Sequence, residues 1–289
     1  MGIVLALISS VLWGIADFAG GTVTRRLPVL TVVAASQASG LLIASVVAAV
    51  TGAWTAPLGY LPWAIAAGIA GAVGLLAFYE ALARGTMGIV SPIAALGVIV
   101  PVVVGLVIGH WPSVIVGIGF ALAIIGIVAA SGPERSAGKS MRPVLLALIA
   151  ATCFGAVLTL IAKGAASSPV MTMVAMRATS VSMLSVVLVV NLFRANTGKP
   201  DRSTAARQPA SMGIWVIVMT AGVFDVSANL TYAYASTLSA LTIVAILGSL
   251  YPAVTVALAR IVHGERMTHI QHVGIVVALA GVALIAGWA

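Results

Sequence analysis

The chain alternates long apolar runs with short polar interruptions. Ten runs stand out, at about residues 3–22, 29–51, 61–83, 87–109, 113–131, 143–163, 168–193, 213–236, 238–262 and 270–288. A helix that crosses a bilayer takes about 20 apolar residues, and tilt absorbs the differences in length. Barrel strands would be half as long and would alternate in polarity, which these runs do not. The pattern predicts an all-α integral membrane protein with ten transmembrane helices. The longest links, Gly132 to Arg142 and Arg194 to Met212, hold Lys, Arg, Ser, Gly and Pro, as solvated loops do.

Two runs carry a break near the middle: Leu96-Gly97-Val98-Ile99-Val100-Pro101 and Leu247-Gly248-Ser249-Leu250-Tyr251-Pro252. Proline donates no backbone hydrogen bond and crowds the carbonyl four residues back. That residue is glycine both times, Gly97 and Gly248. In hydrocarbon a freed carbonyl must face protein, water or ligand. Further matches recur in the same order. Leu5-Ala6-Leu7-Ile8 returns as Leu146-Ala147-Leu148-Ile149, and Trp13-Gly14 as Phe154-Gly155. Pro28-Val29-x-Thr31 returns as Pro169-Val170-x-Thr172, and Ala121-Leu122-Ala123 as Ala278-Leu279-Ala280. The chain therefore divides into a first repeat (1–132), a linker (133–142) and a second repeat (143–289). Five spans is an odd number, so the halves insert in opposite senses. The expectation is two inverted five-helix repeats around a central cavity, with the site at their interface and transport by alternating access.

Composition sharpens the class. Hydrophobic residues are 62% and charged residues 7%, against about 25% charged in soluble domains. The single cysteine, Cys153, lies inside a run, so cysteine supplies neither a disulfide framework nor a metal site. The first run has no basic leader and no clear cleavage site, and reads as a retained span. The net charge of +8 is explained by location and not by a nucleic-acid partner. Of 14 basic residues, all but Lys163 and Arg177 fall in or beside odd-numbered links. Short basic loops stay in the cytoplasm, so odd links are expected inside and both termini outside, in a bacterial inner membrane. Topology reporters fused at Met1 and Ala289 check this; internal readings at both would overturn it.

Ionisable groups inside a span are costly and usually functional. Asp225 sits mid-span, and Asn229, Tyr232 and Ser236 follow at helical spacing as one polar stripe. Asp225 is a candidate to carry a proton or pair an ammonium group. Asp17, with Ser10, Trp13 and Thr24 on its face, either lines a cavity and shares the proton role or reaches the interface near Arg25 or Arg26. Glu80 and Arg84 have the favourable acid-before-base spacing of a helical ion pair; Tyr79 next to Glu80 cannot share its face. Arg177 either binds a substrate carboxylate or pairs with Asp225 or Asp17. Tyr251 and Phe154, the echo of Trp13, are candidates to stack on substrate. Trp54, Trp63, Trp111, Trp288 and Lys163 read as interface anchors. Gly68, Gly71 and Gly74 form a strip for close helix approach. His263, His269 and His272 match no metal pattern, and no metal or cofactor is expected. Glu265 reads as a tether for the tenth span.

With these residues in view, the sequence resembles the EamA-like, ten-span members of the drug/metabolite transporter superfamily. The carriers of the resemblance are Trp13-Gly14, Tyr79-Glu80-Ala81-Leu82, Pro101, Pro252, and Gly264-Glu265 followed by Gln271, Gly274 and Gly281. It implies movement of small metabolites, often amino acids, through a cavity walled mainly by spans one, three, four, six, eight and nine. Two features depart from it. Gly109-His110-Trp111-Pro112 stands where the second half has Gly-Glu, and most relatives keep both termini inside. The substrate-binding candidates are Trp13, Asp17, Tyr79, Phe154, Asp225, Asn229, Tyr232 and Tyr251. The leading function is a secondary exporter of amino acids or related amphipathic solutes, with proton coupling as a hypothesis. The partners are a small-molecule substrate and the lipid bilayer; homo-oligomerisation is left open. No Gly-x-x-x-x-Gly-Lys-Ser/Thr loop is present for ATP. A multidrug exporter is the nearest rival; an intramembrane lipid-modifying enzyme and a channel are rivals of other classes, and no enzyme activity is expected.

Overall fold

Backbone groups in hydrocarbon find partners only within the protein, and the apolar runs satisfy this as helices. The computed structural model describes residues 1–109, 113–130, 141–196, 211–263, and 268–270, 273–274, 276–277, 280–281 and 284. In chain order the helices are α1 (Gly2–Thr24), α2 (Val29–Thr51), α3 (Leu61–Arg84), α4 (Met87–Ala95), α5 (Ile99–Val107), α6 (Val114–Ala130), α7 (Arg142–Ala165), α8 (Pro169–Asn196), α9 (Met212–Leu238), α10 (Leu241–Gly248) and α11 (Tyr251–His263). α4 with α5, and α10 with α11, each form one span in two pieces. Eight spans among the described residues are long and apolar enough to cross a membrane, and α6 is a shorter apolar helix. Of the tenth run, the described residues 270, 273–274, 276–277, 280–281 and 284 are helical. The motif residues Gly264, Glu265 and Gln271, with His110, Trp111, His272 and Trp288, lie outside the described residues.

Helix ends follow the local sequence. Pro62, Pro143 and Pro169 open α3, α7 and α8, where a missing N–H costs nothing. Gly52 ends α2 in the left-handed conformation at φ 67°, with its N–H on the Ala48 carbonyl. The expected breaks are present. A 3₁₀ turn at Leu96–Val98 separates α4 from α5, and Ser249 and Leu250 separate α10 from α11. Pro92 lies inside α4 as well, a second proline in the same span.

Links alternate between two ends of the bundle. The first and ninth meet where Thr22 Oγ1 lies 3.0 Å from His263 Nε2. The third and fifth meet where Gly85 lies against Pro143. At the other end, Ser167 Oγ donates to the Pro57 carbonyl at 3.1 Å, and Gly2 lies against Ser239. Lys163 sits 4.7 Å above the Trp63 ring there.

The halves interlock by repeated contacts. α1 runs along α9 and along the α10–α11 break, and α7 runs along α3 and the α4–α5 break. Gly14 of α1 touches the Tyr251 carbonyl and Val254, so a Cβ there would collide with both. Its repeat mate Gly155 of α7 touches the Gly97 carbonyl and Val100 in the same manner. The carbonyl that Pro101 cannot serve thus faces protein across the interface. A pair of matched hydrogen bonds adds to this. Ser39 Oγ of α2 donates to the Met219 carbonyl of α9 at 3.2 Å. Ser180 Oγ, at the equivalent place in α8, donates to the Gly68 carbonyl of α3 at 2.9 Å. Gly68, Gly71 and Gly74 face α8 and α7, meeting Met176, Thr179, Cys153 and Phe154. Lipid tails are as apolar as leucine side chains, so such close backbone approach, with its van der Waals contact, holds the halves together.

Candidate functional site

Between the halves lies a cavity, largely apolar with a few polar groups on its wall, as small-molecule sites are. Both helix breaks reach it, through Gly97 and Val98 on one side and Gly248, Ser249 and Tyr251 on the other. The wall draws on spans one, three, four, six, eight and nine, and also on span seven through Met176 and Arg177 of α8.

Six of the eight binding candidates lie on this wall: Trp13, Asp17, Phe154, Asp225, Asn229 and Tyr251. Two are corrected. Tyr79 is buried but turned toward α1, where its hydroxyl and ring press on Gly20. Glu80, its neighbour on the next face, pairs with Arg84 near the surface. Tyr232 is fully buried behind Trp13, with ring centroids 5.5 Å apart and Gly248 against its ring. It backs the aromatic wall without forming it. Ser236, the end of the polar stripe, spends its hydroxyl on the Ala233 carbonyl. Among the helix-break residues, Gly97 and Gly248 line the cavity, while Pro101 and Pro252 are buried and not on its wall.

The charged groups form one network. Arg177 Nη1 lies 2.8 Å from Asp225 Oδ2, with the arginine side chain 1% exposed. Of the partners open to Arg177, the structure selects Asp225. Gln37 of α2, buried and unremarked in the sequence, bridges the pair. Its Oε1 accepts from Arg177 Nη1 at 2.5 Å and its Nε2 donates to Asp225 Oδ2 at 3.2 Å. Asn229 Nδ2 donates to Asp225 Oδ1 at 3.0 Å and to the Asp225 backbone carbonyl at 2.7 Å. Arg177, Gln37 and Asn229 therefore occupy the Asp225 carboxylate, and a buried charge of this kind persists only when so paired. Asp17 differs. It is buried on the cavity wall, and among the described residues no hydrogen bond or ion pair holds its carboxylate. The interfacial alternative for Asp17, near Arg25 or Arg26, does not hold. The signal that could have found Gln37 is an amide in the middle of an apolar span, where polar side chains bond across helices.

No group of three or more potential metal ligands occurs among the described residues. The site offers apolar and aromatic surface, one engaged ion pair and one unengaged carboxylate.

Solved structures that match this chain include a crystal structure of a protein with a TM-score of 0.75 at 14% identity, covering 98% of this chain and 95% of that one. At that identity the likeness speaks for the fold. Comparison with curated proteins finds no match. The EamA-like transporter family model matches residues 1–132 and again 141–287. With two matches that fall on the two interlocked halves, the chain belongs to the EamA-like transporter family.

Proposed function

We propose that the protein is a secondary carrier that exports small amphipathic metabolites, amino acids or close relatives, by alternating access. The observation that carries this reading is the cavity between the halves, walled by both helix breaks and by Trp13, Phe154 and Tyr251, with the unengaged Asp17 carboxylate on the same wall. Aromatic faces suit an apolar side chain, and an unpaired buried carboxylate suits an ammonium group. Rocking of one half against the other would expose this site to each side in turn. Asp17, with no hydrogen bond or ion pair among the described residues, is better placed than Asp225 to exchange a proton or a substrate amine. The odd links inside and both termini outside complete the proposal, with the basic links as its support.

Counterflow in proteoliposomes tests it. Vesicles loaded with unlabelled leucine should accumulate labelled leucine from outside, saturably. Asp17→Asn, which keeps the shape and removes the charge, should lower the rate at least about tenfold, the loss of one charge-assisted bond. A saturable flux that is unchanged in Asp17→Asn would remove that residue from the site. A flux that never saturates would indicate a channel.

A further inference from the structure

Arg177 presents a feature that the ion pair does not use. Its Nη1 serves both Asp225 and Gln37, while Nε and Nη2 are buried with no hydrogen-bond partner among the described residues. These two nitrogens form one edge of the planar guanidinium, and their N–H groups point in parallel, the spacing that matches the two oxygens of a carboxylate. Leaving charged donors unpaired in a buried place is costly. The side chain is 1% exposed and lines the central cavity. Gln37 and Asp225 hold the other edge from α2 and α9, so the guanidinium is fixed in orientation.

We propose that the Nε–Nη2 edge of Arg177 is a carboxylate subsite, with Gln37 as the residue that positions it. The proposal rests on the carrier reading above and narrows it. The substrate would bring its own carboxylate to an arginine already neutralised by Asp225. The substrate's carboxylate completes a set of bonds that the protein leaves unfinished, and esters, amides and plain amines cannot do so. This separates a carrier of carboxylate-bearing solutes from a multidrug exporter of organic cations, which the aromatic wall alone would serve equally well.

The test uses the wild-type protein in proteoliposomes, with labelled leucine in counterflow. The competitors are leucine, leucine methyl ester, isoamylamine, which lacks the carboxylate, and 4-methylpentanoate, which lacks the amine. Leucine should compete at least about tenfold better than its methyl ester and isoamylamine, as expected for bonds to a charged group. In Arg177→Gln/Asp225→Asn, which removes both charges together, that preference should collapse to within about twofold. Equal competition by leucine, ester and amine in the wild type would overturn the carboxylate subsite and leave the carrier intact. Preference retained in the double variant would also overturn it, by placing the discrimination elsewhere. Isoamylamine flux without leucine flux would favour the multidrug reading and overturn the subsite. No saturable flux of either probe would overturn the carrier reading itself and, with it, the subsite.

Discussion

Arg177→Met is expected to destabilise the protein by about 3–5 kcal/mol, the cost of breaking a buried ion pair from one side. Equilibrium unfolding in mixed micelles measures it. The substitution strands Asp225, which is 15% exposed on its side chain, and leaves Gln37 Oε1 without its donor. Removing both charges in Arg177→Met/Asp225→Leu should restore most of the loss, because apolar groups of similar volume often replace a buried pair at little cost. The signature is therefore a strong non-additivity between two residues on different helices. Equal destabilisation in the single and double variants would show that the pair is not the coupling, and that shape alone matters at this place.

Gly155→Ala should cost about 1–3 kcal/mol by forcing a methyl group into an interface that has no room for it. The added Cβ would strike the Gly97 carbonyl and the Val100 side chain. One of those is backbone at a proline-broken turn, so relief requires moving a whole span. Counterflow per folded molecule should fall as well, since the contact joins α7 to the break that borders the cavity. Gly117→Ala is the control. Among the described residues that glycine has nothing within 4 Å of the added atom, and alanine in a helix gains about 0.5–1 kcal/mol over glycine. If the two substitutions behave alike, the close approach at Gly155 does not constrain the fold.

The scaffold was readable from residues whose effect is on the backbone. Pro101 and Pro252 mark breaks by removing donors, and Gly97 and Gly248 carry the carbonyls left unserved, whatever the neighbours are. Trp13-Gly14 and Phe154-Gly155 recur because each glycine meets the opposite half's break. The chemistry was less readable because it does not repeat. Asp17 stands where the second half has Leu158, and Asp225 where the first has Gly71. Periodicity says only that such a residue is on a given helix, not which neighbour reaches it. Gln37 was invisible for that reason: its importance lies in touching α8 and α9 together, a fact of tertiary placement. Tyr79 and Tyr232 show the same limit from the other side. Each sits next to a site face in sequence, but helix rotation turns Tyr79 to α1 and tucks Tyr232 behind an indole.

The exchange of glycine contacts has a consequence for biogenesis. While the first five helices enter the bilayer, the bare face around Gly97 has no cover, and it stays so until the stretch near Gly155 has left the ribosome. The first half is therefore an unfinished product during synthesis, most exposed to quality-control proteases just before the second half arrives to shield it.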